Sequence, residues 1–175
     1  MPNERFLKRD LATGKDYLQE AISSSAGAGD AGKIPALDAA GKLASSLMPA
    51  GIGADTYTAE ATEALSAGEF VEVWWDGANR EARLADANNG RPANGFVADN
   101  YTLGAAATIY PLGTLNNQQS GLTAGNIYFL GNVAGGVTDD ISAFVDTDIV
   151  QRLGLAISAT EILTENNTPA YIADA

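Results

Sequence analysis

The stretch from residue 23 to residue 53, SSSAGAGDAGKIPALDAAGKLASSLMPAGIG, sets the strongest limit on how this chain folds. It is rich in Gly, Ala and Ser and is broken by Pro35 and Pro49. Such a composition buries too little apolar surface to offset the conformational entropy of ordering it alone. It is therefore expected to be an extended arm lying on a partner. It also holds a short echo, Asp30-Ala31-Gly32-Lys33-Ile34 and then Asp38-Ala39-Ala40-Gly41-Lys42-Leu43. Each Asp-to-Gly stretch is a turn signal, and each Lys-apolar pair is a start for a short strand. Ahead of it, Leu7, Leu11, Leu18 and Ile22 within residues 3–22 are spaced to line one face of a helix, interrupted by Gly14.

Charge divides the chain at the same place. Residues 1–53 carry six bases (Arg5, Lys8, Arg9, Lys15, Lys33, Lys42) and six acids (Glu4, Asp10, Asp16, Glu20, Asp30, Asp38). Residues 54–175 carry sixteen acids against Arg80, Arg83, Arg91 and Arg152, so the entire net charge of −12 belongs to them. Two regions are expected: 1–53, an N-terminal segment and Gly/Ala-rich arm, and 54–175, an acidic β domain.

The residue types that are missing exclude much chemistry. Among 175 residues there is no histidine and no cysteine. A Ser-His-Asp triad, an imidazole base, a thiolate nucleophile, a zinc cage and a disulfide are all ruled out. A charge of −12 opposes nucleic acid, whose phosphates reward a basic face. No apolar run approaches the roughly 18 residues that span a membrane. The start, Met1-Pro2-Asn3-Glu4-Arg5, lacks the apolar core of a signal peptide, so synthesis in a cytosol is expected. Neither a cofactor nor a catalytic or metal-binding residue is expected.

From about Glu63 the texture turns to short strands and turns. Phe70 to Trp74 is β-rich, the Asp76-Gly77 turn follows, and Glu81 to Ala85 alternates. Asn94 to Ala98, Ala106 to Leu112, Asn126 to Leu130, Asp148 to Ser158 and Glu161 to Leu163 read as further strands. Closely spaced short strands predict a mainly β fold, a compact β-barrel or β-sandwich domain. A faint repeat runs through it. Leu65-Ser-Ala-Gly-Glu-Phe-Val71 resembles Leu122-Thr-Ala-Gly-Asn-Ile-Tyr128, and Gly95-Phe-Val-Ala98 follows the first as Gly154-Leu-Ala-Ile157 follows the second. Two related β units sharing one core are the implied arrangement.

Three motifs invite a chemical reading, and each has a plainer one. Gly27-Ala-Gly-Asp-Ala-Gly-Lys33 matches the glycine spacing of phosphate-binding loops. Those loops need a buried strand before them and a helix after, whereas Ile22-Ser-Ser-Ser25 precedes and Ile34-Pro35 follows. Asp139, Asp140, Asp146 and Asp148 offer carboxylates to a hard cation without the spacing of a calcium loop, so a solvated acidic loop is preferred. Glu69, Glu72 and Asp76 surround Trp74-Trp75, but strand alternation puts Glu69 and Glu72 on opposite faces. A glycan hydrolase built on them is a remote alternative.

A longer likeness carries more weight. The run Ser25-Ala-Gly-Ala-Gly-Asp-Ala-Gly-Lys-Ile-Pro-Ala-Leu-Asp38 and onward to Thr56 resembles the linker of capsid decoration (cement) proteins of tailed bacteriophages. Glu63 to Val71, Gly121 to Tyr128 and Ile149 to Thr160 resemble later segments of the same family. The resemblance implies a non-enzymatic head-stabilising virion protein on the outer capsid surface, commonly a homotrimer. Its implied partners are the major capsid protein and further copies of itself, with no nucleic acid and no membrane. Arg5, Phe6, Leu7, Lys8, Arg9, Leu11, Tyr17, Leu18, Ile34, Leu37, Leu43, Leu47 and Met48 are the expected shell or subunit contacts. The alternative is a tail-fibre or receptor-binding module, in which Trp74, Trp75 and Tyr101 would touch sugars.

Overall fold

A computed structural model of the chain describes residues 5–37, 41–44, 47–48, 55–142 and 144–171. Asp38 to Ala40 of the echo, Pro49 and the residues on either side of the 53/54 division lie outside these. Chain contacts separate two units, Met1–Gly53 and Ala54–Ala175.

In the first unit, β1 (Arg5–Arg9) and β2 (Asp16–Glu20) form an antiparallel hairpin. The helix expected over residues 3–22 is therefore corrected. The reversal is made by Asp10 and Gly14. The Asp10 carboxylate accepts from the Ala12 N–H at 2.8 Å and the Thr13 hydroxyl at 2.7 Å, and Gly14 turns the chain at φ +71°. With the turn fixed, opposite charges meet across the ladder, Arg5 against Glu20 and Arg9 against Asp16.

The following glycine-rich residues do not show the extended arm. Ile22 N–H donates to the Ile34 carbonyl at 3.0 Å and Ala36 N–H to the Ile22 carbonyl at 2.8 Å, which closes a loop holding one 3-10 turn at Ala28–Asp30.

The second unit begins with a closed five-stranded barrel. Its strands are β3 (Tyr57–Ala61), β4 (Phe70–Trp75), β5 (Arg80–Leu84), β6 (Gly95–Val97) and β7 (Ala106–Pro111). Their order around the barrel is β3-β5-β4-β6-β7, with β3 and β5 parallel and the other pairs antiparallel. So few strands leave a narrow interior, and small side chains fill it: Ala59, Ala61, Ala82, Ala107, Val71 and Val97, with Leu65 and Ile109. On the outer face Phe70, Phe96 and Tyr110 form an aromatic row, with centroids 6.1 Å and 5.4 Å apart.

A second, five-stranded sheet follows, ordered β10-β9-β12-β13-β8. It is made from β8 (Leu115–Asn116), β9 (Ile127–Leu130), β10 (Val137–Thr138), β12 (Arg152–Ala156) and β13 (Ile162–Thr164). β11 (Ile149–Val150) pairs separately with β14 (Ala170–Tyr171). The aromatic row of the barrel packs on Leu130, Ile149 and Leu153, forming the core between barrel and sheet.

The two halves share a turn and the register of three strands, although only the first closes into a barrel. Ser66 to Glu69 and Thr123 to Asn126 make the same turn, each closed by a 3.1 Å hydrogen bond and each with glycine left-handed, Gly68 at φ +92° and Gly125 at φ +90°. Val71 pairs with Gly95 as Tyr128 pairs with Gly154. Phe96 pairs with Tyr110 as Leu155 pairs with Leu163. The inward residues Leu65, Val71, Val97 and Ile109 correspond to Leu122, Tyr128, Ala156 and Ile162, and each set is buried in its own cluster. Both Gly95 and Gly154 are required by close approach, since a Cβ there would strike the Tyr110 or Leu163 carbonyl oxygen.

Candidate interaction surface

Alternation along the hairpin decides which expected contact residues act together. Arg5, Leu7 and Arg9 share a face with Asp16, Leu18 and Glu20. Leu7 and Leu18 are direct cross-strand partners at its centre and are 68% and 64% exposed. An ion pair between Arg5 and Glu20 at 2.8 Å closes one end of this face, and Arg9 stands opposite Asp16 at the other. Phe6, Lys8, Tyr17 and Gln19 occupy the reverse face. There Phe6 and Lys8 are half-buried, and the Lys8 Nζ donates to the Gly32 carbonyl at 3.1 Å. Leu11 projects from the turn, while Ile34 lies beside the Ile22–Pro35 bridge. Leu37, Leu43 and Met48 are exposed and Leu47 is half-buried.

The sequence reading passed over Asp16 and Glu20, which complete this face. Their spacing from Arg9 and Arg5 was the available signal, and it becomes legible only once the segment is recognised as a hairpin.

Unit 1 has an unusual energetic character. Among its described residues no hydrophobic side chain is buried, while eight large ones are exposed. A two-stranded hairpin is marginal in water unless its apolar face is covered. The Asp10 carboxyl is held below its ordinary value of 3.8 by the Thr13 hydroxyl first and the Ala12 N–H next. Asp30 is likewise lowered, first by Lys33 and then by the Ala26 N–H.

The motifs that suggested chemistry are used otherwise. In the glycine-rich loop the Asp30 carboxylate accepts from the Ala26 N–H at 2.7 Å and from Lys33 Nζ at 2.6 Å, so the groups that would meet a phosphate already meet a carboxylate. The acidic loop separates its members: Asp139 takes the Asn126 amide, Asp140 caps Ser142, and buried Asp148 takes the Val145 N–H and the Asn132 amide. Among the described residues no three acidic side chains gather as a metal site.

Glu72 pairs with Arg83 at 2.6 Å and Asp76 caps the turn at Ala78 and Asn79. The Arg83 guanidinium lies 4.7 Å over the Trp74 ring, and Tyr101 is half-buried against the barrel interior. Of the aromatic residues that would touch sugars, Trp75 alone is exposed.

No family model matches the chain, and no curated protein matches its sequence. Among solved structures it is similar to the head fiber gp8.5 N base of bacteriophage phi29, with 18% identity and a TM-score of 0.40, over 63% of this chain and 92% of that one.

Proposed function

We propose that this chain is a structural protein of a bacteriophage particle that decorates the capsid, binding across major capsid subunits through residues 1–53. The single observation that carries the reading is that, among the described residues of unit 1, no hydrophobic side chain is buried, while its hairpin displays Leu7 and Leu18 between paired charges. Such a surface is complete only when another protein covers it. The resemblance of residues 23–56, and of the later segments 63–71, 121–128 and 149–160, to capsid decoration proteins supports the major capsid protein as that partner.

In this reading the acidic unit 54–175 faces solvent on the outer capsid surface, the assembly is a homotrimer, and neither nucleic acid nor membrane takes part. No catalytic step belongs to it. Stabilisation arises by linkage: a protein that binds only the assembled shell favours that shell by mass action. Contacts to more than one subunit turn modest affinities into firm retention.

Purified protein added to undecorated, expanded capsids is expected to raise their thermal disruption temperature. Leu7→Asp and Leu18→Asp are expected to abolish the effect while leaving the melting of unit 2 unchanged. Failure of the unaltered protein to bind capsids overturns the proposal.

A further inference from the structure

The internal repeat exposes a difference between its halves. In the first, the outward row Phe70–Phe96–Tyr110 is covered: Phe70 and Phe96 are 0% and 2% exposed. What covers it is Leu130, Ile149 and Leu153 of the second half. The equivalent row of the second half is Ile127–Leu155–Leu163, joined by the same register and 39%, 36% and 49% exposed. Leu115 extends it across β8, opposite Leu163. The second half therefore presents the docking row that the first half uses, left partly exposed by the described residues.

The complementary surface is open as well. Counting along the repeat, Leu130 and Leu153 correspond to Val73 and Asn94 in the first half. These two, with Tyr57 and Arg80, line a cleft of about 380 Å³. The cleft is the mouth of the barrel, since Tyr57 and Val73 pack on the interior cluster. The exposed Trp75 shares a face with Val73 and with its cross-strand partner Arg80, both of which line the cleft. One half has a row without a seat, and the other has a seat without a row.

We infer that copies of this chain associate head to tail, the Ile127–Leu155–Leu163 row of one seated on the barrel mouth of the next. The occupant is a second copy because the two open surfaces are the repeat equivalents of two that already pack together inside the chain. A contact of this kind is heterologous, so it either closes into a ring or propagates. In a ring of three copies, six related β units follow one another with the same kind of contact throughout. The inference rests on the self-association in the proposed function and is independent of the capsid partner.

The test uses the full chain in sedimentation velocity. Leu155→Glu breaks the row and Trp75→Glu breaks the mouth, both at exposed positions. The unaltered chain is expected to form a closed assembly. Either variant alone is expected to be monomeric, its association weakened roughly tenfold or more. An equal mixture of the two is expected to give a dimer, because each supplies the surface that the other lacks. Should the thermal midpoint of either variant fall, Leu163→Arg and Arg80→Glu replace them in the same scheme.

The inference is overturned if the unaltered chain is monomeric, if Trp75→Glu assembles as the unaltered chain does, or if the mixture stays monomeric. Capsid binding by the unaltered chain separates the two proposals: if it sediments as a monomer yet binds shells through its hairpin, this inference is removed and the capsid reading stands.

Discussion

At the residue scale, buried polar groups show where the second unit is most tightly specified. Gln151 is nearly fully buried, and its amide both accepts from the Ala93 N–H at 2.7 Å and donates to the Ala93 carbonyl at 2.9 Å. It thereby closes the end of a loop onto the second sheet. Gln151→Ala leaves both backbone groups unpaired in the interior, and a loss of about 3 kcal/mol is expected in chemical denaturation. An unchanged midpoint would show that water replaces the amide.

The repeat offers a matched pair. Gly68 and Gly125 have the same left-handed backbone, so alanine at either position is expected to cost about 1 kcal/mol from conformation alone. A Cβ at Gly68 would in addition strike the Gln118 carbonyl, whereas at Gly125 it meets nothing. Gly68→Ala is therefore expected to lower the thermal midpoint distinctly more than Gly125→Ala; equal effects would contradict the close approach.

At the scale of elements, the turn of the first hairpin makes a prediction in pH. The folded-state value of Asp10 is lowered, so the ionised carboxylate holds the turn at and above the ordinary value of 3.8. The contribution is lost as pH falls through the lower folded value. In an NMR titration the amide signals of Ala12 and Thr13 are expected to move together with an inflection below 3.8. An inflection at or above that value would remove the capping role.

This hairpin also marks the limit of what the sequence reveals. Leu7, Leu11, Leu18 and Ile22 fit helical spacing, yet Leu11 belongs to the turn and Leu7 pairs with Leu18 across the ladder. Local apolar spacing cannot distinguish these cases, because the pairing that selects the hairpin is a relation between two segments. β3 escaped notice for another reason. Its inward residues Tyr57, Ala59 and Ala61 are mostly small, as the narrow barrel demands, and carry little β signature.

β4, β5, β6, β7, β9 and β13 were legible as apolar or alternating runs, whereas the single strand expected over Asp148 to Ser158 is divided into β11 and β12, which belong to different sheets. The repeated polar-Ala-Gly turns were legible too, since both need glycine at the same place. Of the candidate surface, the apolar and basic residues were visible in the sequence. Their division between two faces of a hairpin was not.

At the scale of the whole molecule, charge and exposed apolar surface are distributed unequally. The second unit carries all of the −12, so copies of it repel one another at low ionic strength. Head-to-tail association is therefore expected to tighten as salt screens that repulsion, and sedimentation at increasing ionic strength measures it. A contact governed by apolar surface strengthens with salt, whereas one held by ion pairs weakens.

The central claim is that residues 1–53 grip a capsid. A cryo-EM reconstruction of capsids decorated with the full chain tests it most directly. The account predicts the β1–β2 hairpin, with Leu7 and Leu18, against major capsid subunits where they meet, and the acidic β unit turned outward. Density that leaves the hairpin in solvent while the acidic unit contacts the shell would contradict it, as would shells that carry no such density.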